Sequence, residues 1–310
     1  MNIVDIQSIS KTFGQHVAVH KLSLTIPQGS IYGFIGPNGS GKTTTLRMIM
    51  HIYHPDPGSG HIRVFGEETF QAANDRIGYL PEERGLYKKM KVREVLRFFA
   101  ELKGRRDCKS AVADWLERME LGAWADKRVE ALSKGMAQRV QFISAVIAQP
   151  EMVILDEPFT GLDPVNADLL REEALKLRRN GTTIIFSTHD MNMAERMCDF
   201  VLMIYQGNKV LDGTLDSIRG SYGQDIIRVQ MEDNSFDPAT IRGVEKVTDF
   251  GRFQELRINH RTDSQDILAA LMQRGRVAHF EIARPSLHDI FVRIAGPAKA
   301  ESHSAAPIWN

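Results

Sequence analysis

Cysteine is nearly absent. The 310 residues contain two, Cys108 and Cys198, far apart and in no CxxC pair. A disulfide scaffold or cysteine-based zinc site is therefore not expected, and a reducing interior is the simpler home. An excess of one charge is also missing, with 39 Lys+Arg against 39 Asp+Glu. That removes the electrostatic case for broad nucleic-acid binding, and no nucleic-acid partner is expected. Long hydrophobic runs are lacking too. Stretches such as FVLMIY at 200–205 are strand-sized, against the ~20 residues that span a bilayer, so any membrane role is expected to come through a partner. The opening MNIVDIQSISKTFG has no basic stretch leading into an apolar one, and no signal peptide is expected. No internal repeat is visible.

What is present is an ordinary apolar fraction, 43%, in a chain long enough for more than one core, since single cores rarely grow past roughly 250–300 residues. NIVDIQSIS and AVHKLSLTI alternate as half-buried strands do. SIYGFIG leads through a glycine-rich turn into a helix, KTTTLRMIMHIY, and HPDPGSGHIRVFG reads as turns and a short strand. From residue 91 to about 130 the pattern turns helical, in KVREVLRFFAEL and KSAVADWLERMELG, broken by KGRRD. Strand and helix then alternate through MVILDEP, NADLLREEALKLRRNG, TTIIFSTH and FVLMIYQGNKVLDG, which predicts a largely parallel sheet with crossover helices. From about 221 the strands DIIRVQM, VEKVTDFGRFQELRI and VAHFEIA, with the helix DSQDILAALMQRG, predict a small α+β domain. PSLHDIFVRIAG reads as a closing helix capped by Ser286, and the Ala/Pro/Ser-rich tail reads as loose.

Four motifs carry chemistry. GPNGSGKTT at 36–44 matches G-x-x-x-x-G-K-[ST] between a predicted strand and helix, the context that motif requires. Its glycines let the backbone wrap phosphate oxygens, Lys42 reaches β- and γ-phosphates, and the Thr43 hydroxyl suits Mg²⁺. VILDEP ends a strand in two acids. Asp156 is suited to orient Mg²⁺ and its waters, and Glu157 stands where a hydrolytic water would attack; two buried acids need metal or water to satisfy them. His189 ends the next strand in FSTHD, at the same sheet edge, where a γ-phosphate contact competes with a merely structural or exposed histidine. Phe13 in KTFGQHVAV suits a purine stack or a core position equally.

The fourth motif is LSKGMAQR, Leu132 to Arg139, followed by the apolar run VQFISAVIA. Ser and Gly at such a junction offer a hydroxyl and free N–H groups, as a helix terminus does to an anion. A plain serine cap accounts for Ser133 alone.

Taken in this order, the motifs resemble the ATP-binding subunit of an ABC transporter, in the branch that pairs with ABC-2-type exporter permeases. The family's phosphate loop is similar to GPNGSGKTT, its magnesium strand to VILDEP, its distal loop to TGLDP at 160–164, its switch histidine to His189 and its signature to LSKGMAQR. The resemblance covers about residues 1–220. It implies an α/β fold: a P-loop NTPase (RecA-like) core with an antiparallel β-subdomain and an inserted helical subdomain over about 88–145. A small C-terminal α+β domain would follow at 221–296, resembling the extra domain of some exporter ATPases, with a flexible tail at 297–310.

The resemblance further implies ATP and Mg²⁺ as cofactors. Gly36, Pro37, Asn38, Gly39, Ser40, Gly41, Lys42, Thr43 and Thr44 would hold the phosphates, Phe13 would stack on adenine, and Thr43, Glu82 and Asp156 would attend the metal. Glu157, His189 and Lys42 would be catalytic. In the family two subunits face head to tail, so Ser133 and Gly135 would bind the γ-phosphate held by Lys42 of the partner subunit, with Asp163 at the same interface. A second ATPase subunit, first of all a second copy, and an ABC-2-type integral membrane permease are the implied partners. The implied location is cytoplasmic, on the inner face of the membrane, with the permease near Glu82, Leu86 and Tyr87.

Two departures from the family pattern stand out. The usual LSGGQ is here LSKGM, with Lys134 and Met136 in place of Gly and Gln, and Glu82 replaces the usual Gln in GYLPEERGLY. Glu82 is expected to weaken nucleotide affinity or shift its Mg²⁺ dependence. Two rival readings are an ATP-gated scaffold that drives no transport, which commonly carries paired ATPase domains or a long coiled insert, and a phosphate-loop kinase, which leaves LSKGMAQR unexplained.

Overall fold

The computed structural model describes residues 1–68, 73–83, 85–222, 226–232, 237–259 and 261–303. The chain divides into two compact units, Met1–Thr214 and Leu215 onward.

Elements are numbered in chain order. In the first unit, β1 (Asn2–Phe13), β2 (His16–Pro27) and β4 (His61–Val64) form an antiparallel sheet in the order β2-β1-β4. A six-stranded sheet has the order β5-β6-β7-β3-β8-β9, built from β3 (Ile31–Ile35), β5 (Ile77–Leu80), β6 (Met152–Leu155), β7 (Thr183–Thr188), β8 (Phe200–Tyr205) and β9 (Asn208–Thr214). All neighbours in it are parallel except β8 and β9. Every residue of β3, β6 and β7 is buried, as expected of parallel strands covered on both faces. Their apolar runs therefore show no alternation, unlike β1 and β2.

Helices α1 (Lys42–Ile49), α5 (Lys134–Val146), α6 (Pro164–Arg179) and α7 (Met191–Met197) belong to this α/β body, with a short α2 (Ala73–Arg76) before β5. One apolar cluster joins Val4, Ile6 and Val19 of the antiparallel sheet to Tyr32, Phe34, Ile154 and Ile185 of the parallel one, with Leu46 and Ile49 of α1 among them. The helix behind the phosphate loop is thus fixed by both sheets. The predicted helical stretch contains α3 (Val92–Leu102) and α4 (Lys109–Arg118), then two short 3₁₀ turns at Gly122–Trp124 and Val129–Ala131. α3 buries Val92, Val95, Leu96 and Ala100, the i, i+3, i+4 spacing of an amphipathic helix.

In the second unit, α8 (Leu215–Ser221) precedes a four-stranded antiparallel sheet in the order β11-β12-β10-β13. Its strands are β10 (Ile226–Met231), β11 (Val244–Asp249), β12 (Gln254–Ile258) and β13 (Val277–Ala283). Ile227, Val229, Leu256 and Ile258 pack with Ile267 and Leu271 of α9 (Ser264–Met272) into a separate core. α10 (Leu287–His303) closes the unit. Its start is a reciprocal cap, with the Ser286 N–H donating to Asp289 Oδ2 and the Asp289 N–H to Ser286 Oγ.

Four features differ from the sequence expectation, the first being VEKVTDFGRFQELRI, read as one strand and folded as the hairpin β11–β12. The units divide at Thr214 because α8, which the sequence pattern did not mark, falls in the second one. β5 was not marked either, since four residues carry too little periodicity to register. α10 runs past Gly296 to His303, where a loose tail was expected from 297. Ala, Lys and Glu in that stretch are strong helix formers, and their propensity prevails over the Pro/Ser composition. Residues 304–310 lie outside the described ones.

Candidate nucleotide site

β3 lies between β7 and β8, and its chain leaves the sheet at Ile35 to form the loop 36–41 before α1. Ligands of open parallel sheets sit at such carboxyl ends. Two glycines are sterically required here. Gly36 has φ 155° and Gly41 φ 109°, and a Cβ on either would collide with a backbone carbonyl, of Ile204 and Ala18 respectively. The loop curls round the Lys42 ammonium, which donates to the carbonyls of Gly36 (2.8 Å) and Pro37 (3.1 Å). Lys42 Nζ also lies 3.7 Å from Glu157 Oε1, and burial pushes its pKa down against the pull of that carboxylate. Ser40 is buried and its hydroxyl has no hydrogen-bond partner among the described residues. A buried, unsatisfied hydroxyl beside the N-terminus of α1 fits a phosphate oxygen.

The two acids follow β6. Asp156 is fully buried, and its Oδ1 accepts from Thr43 Oγ1 (3.0 Å) and Ser187 Oγ (2.6 Å). Its Oδ2 has no partner among the described residues. Burial raises its pKa, partly offset by those two hydroxyls. Mg²⁺ prefers oxygen ligands and is held by one or two carboxylates with substrate phosphates and water. Thr43 and Asp156 meet that requirement, and no group of three or more His, Cys, Asp or Glu among the described residues offers an all-protein cage.

Glu157 adopts φ 49°, a left-handed conformation rare for a residue with a side chain and enriched at active sites. Its N–H donates to Ser187 Oγ (2.9 Å). Its Oε2 accepts from Thr160 Oγ1 (2.8 Å) and lies 3.1 Å from His189 Nδ1. Oε1 accepts no hydrogen bond among the described residues. His189 follows β7 with its side chain about half exposed, at 52%.

A cleft of ≈ 330 Å³ is lined by Phe13, His16, Ala18, Asn38, Gly39, Ser40, Gly41, Lys42, Thr43, Thr44, Glu82 and Glu157. Phe13 is 42% exposed, with its ring edge-on to Tyr53 at 5.4 Å, so it is a wall of the cleft rather than core. Asp156 and His189 join through their bonds to Thr43 and Glu157.

Ser133, Gly135 and Asp163 are not in this lining. Ser133 caps α5, accepting from the Met136 N–H (3.3 Å), and is exposed. A Cβ on Gly135 would lie 3.0 Å from Asn166 Nδ2. Asn166 in turn donates from its N–H and Nδ2 to Asp163, which caps α6. Signature turn and distal loop therefore form one exposed surface.

Sequence reasoning passed over Ser187, Thr160, Gln138 and Gln141. The Gln138 amide donates to the Pro158 carbonyl (3.0 Å), and that of Gln141 to Pro81 and Glu83 (3.2 Å each). α5 is thereby tied to the segments carrying Glu157 and Glu82. The available signal was two glutamines three apart within an otherwise apolar helical run. For Ser187 it was a hydroxyl two residues before His189.

Sheet order, phosphate loop and acid pair define a P-loop nucleoside triphosphatase. Comparison with known proteins narrows this. The ABC transporter family model matches residues 19–160, and that for the C-terminal domain of DrrA1-3-like ATP-binding proteins matches residues 213–295. An uncharacterized ABC transporter ATP-binding protein of Bacillus subtilis, YhaQ, is 40% identical over 296 residues, 95% of this chain and 99% of that protein. Nod factor export ATP-binding protein I of Burkholderia lata is 34% identical over 304 residues, 94% of this chain and 97% of that protein. A solved ATP-binding subunit of an ABC transporter superposes with a TM-score of 0.65 at 28% identity, over 71% of this chain and 93% of its own. The chain belongs to the family of ABC transporter ATP-binding proteins, ATPases whose hydrolysis is coupled to transport.

Proposed function

We propose that this chain is the ATP-hydrolysing subunit of an exporter, closing on a second copy with two ATP molecules between them and driving an ABC-2-type permease at the inner face of a membrane. The observation that carries this reading is the separation of two glycine-bearing helix N-termini, one lining the cleft and the other exposed outside it. Ser133 and Gly135 then complete the site of the facing copy, and Asp163 lies beside them.

Hydrolysis is direct attack of water on the γ-phosphate, dominated by positioning and electrostatics. Thr160 and His189 hold Oε2 of Glu157, leaving Oε1 to accept from the attacking water. With Nδ1 donating to Glu157, the His189 Nε2 is the acceptor of that tautomer. Lys42 offsets the developing charge, aided by backbone N–H groups of Gly39 to Thr44. Thr43 and Asp156 would hold Mg²⁺, which would supply charge neutralisation at the phosphates, and Glu82 at the cleft wall would accept from waters there. Phe13 stacks on adenine.

No helix of the described residues is long and apolar enough to cross a membrane, so transport needs a separate permease. Tyr87, Phe98 and Phe99 form an aromatic cluster with ring centroids 5.4 to 6.5 Å apart. Tyr87 is 52% and the nearby Leu102 63% exposed. That patch, close in sequence to Glu82, is the docking surface of this reading. Outward transport draws support from the Nod factor export relatives, and an ABC-2-type permease from the DrrA1-3-like C-terminal match.

The test is light scattering of the Glu157→Gln chain with and without Mg-ATP. Mass is expected to double with Mg-ATP and to stay single when Ser133→Arg is added. A monomer in all conditions, despite measured nucleotide binding, refutes closure between copies.

A further inference from the structure

Lys134 stands where the family signature has glycine, and nothing above uses it. It is the first residue of α5, after the cap Ser133. A cation at a helix N-terminus is placed against the macrodipole, and α5 has no acid in its first turn to offset it. Among the described residues Lys134 takes part in no ion pair. Its position is accounted for instead by a steric fit. The side chain lies over Gly161 of the distal loop, where a Cβ would collide with Nζ and come within 2.9 Å of Cε. Gly161 also has φ 70°, so its backbone favours glycine, while the lysine atoms over it are the flexible far end of an exposed side chain.

The loop under Lys134 begins at the catalytic acid. The Thr160 N–H donates to the Glu157 carbonyl (3.2 Å) and its hydroxyl to Glu157 Oε2 (2.8 Å). On the other side of Gly161, Asp163 holds Asn166, against which Gly135 packs. The signature turn thus grips this loop at two points, Lys134 on Gly161 and Gly135 on Asn166, while the near end of the loop fixes the Glu157 carboxylate.

We propose that Lys134 is a positioning residue that couples the signature turn of each copy to that copy's own Glu157, through Gly161 and Thr160. This rests on the dimer reading above. There the signature turn meets ATP held by the facing copy, so its displacement on closure is passed to the loop that sets the hydrolytic carboxylate. Each copy's chemistry thereby answers to the nucleotide of the other. Lys134 touches no reacting atom in this scheme; it acts through Gly161.

The full-length chain tests this with Lys134→Gly and Lys134→Met. Lys134→Gly is expected to lower kcat by about tenfold, the scale of a misplaced catalytic group, and to remove the sigmoidal dependence of rate on ATP. Fluorescent-ATP affinity of the dilute chain and ATP-induced doubling in the Glu157→Gln background stay as in the parent. Lys134→Met keeps an unbranched stem of similar reach over Gly161 and should recover at least about half the rate by restoring the packing. If the Glu157→Gln chain does not double with Mg-ATP, the dimer reading fails and the coupling falls with it. If it doubles but Lys134→Gly turns over normally, only the coupling is refuted. Lys134→Met as slow as Lys134→Gly would assign the effect to charge and overturn positioning.

Discussion

The N-termini of α1 and α5 have the same electrostatic character in opposite surroundings. At α1 the two ends of the loop are buried, Gly36 against Ile204 and Gly41 against Ala18, Lys42 is 5% exposed, and Ser40 keeps a hydroxyl that nothing among the described residues satisfies. Asp156 and Glu157 each have one oxygen with no hydrogen bond among the described residues. At α5 the Ser133 hydroxyl is satisfied by its own helix, Lys134 rests on Gly161, and the surroundings are open. Buried polar atoms without partners are costly, so the first site is one that a ligand completes inside a single chain. The second has settled its own hydrogen bonds and offers a surface, which fits a site completed by another molecule.

The sharpest break of this comparison is Lys42→Ala. It should cut phosphate release by ~10²–10³-fold, the scale of losing one preorganised electrostatic contact, and weaken ATP binding to the isolated chain. Ser133→Arg should also stop turnover, yet leave binding by the dilute chain unchanged. Fluorescent-ATP titration separates the two, and loss of binding in both would mean the turns form one site.

Asp156→Asn has an intermediate effect with two signs. Mg²⁺ should no longer tighten ATP binding. Stability should rise, because burial holds the Asp156 pKa above its usual value, so the folded chain takes up that proton more readily than the unfolded one. The resulting penalty is present at neutral pH and is relieved as pH falls through the raised pKa. Melting without nucleotide should therefore show the variant more stable than the parent at pH 7.5, with the difference shrinking toward pH 4.

The smallest effect is expected from Glu82→Gln. Glu82 lines the cleft but is exposed, so its charge is screened by water. Removing it should tighten ATP binding by only about two- to fivefold, a fraction of a kcal/mol to about one, as for exposed charges generally. Titration at low and high Mg²⁺ checks this, and no change in affinity or Mg²⁺ dependence would leave the substitution without consequence.

The parts of the site that sequence disclosed are those in which neighbours along the chain do the chemistry together. GPNGSGKTT is such a unit, since its glycines, lysine and threonine wrap one phosphate group from consecutive positions. The strands β6 and β7 were readable because burial on both faces demands continuous apolar runs, and α3 because its buried face repeats every three to four residues. Phe13 was undecided between core and cleft, since an aromatic residue suits both, and its 42% exposure settled the question. Ser187, Thr160 and the pair Gln138 and Gln141 escaped notice because a serine, threonine or glutamine has no meaning until its partner is known. The Ser187 partner Asp156 is 31 residues away.

The sequence by itself determined the phosphate loop, the acid pair, the alternation of strand and helix and the change of grammar near residue 221, because each is set by local geometry and by which side chains must avoid water. Tertiary structure alone decided the sheet order that brings Thr43 to Asp156, the bonds that hold Oε2 of Glu157, and the seating of Lys134 on Gly161. Those depend on packing between segments distant in the chain, and no local pattern records which distant surface a buried residue meets.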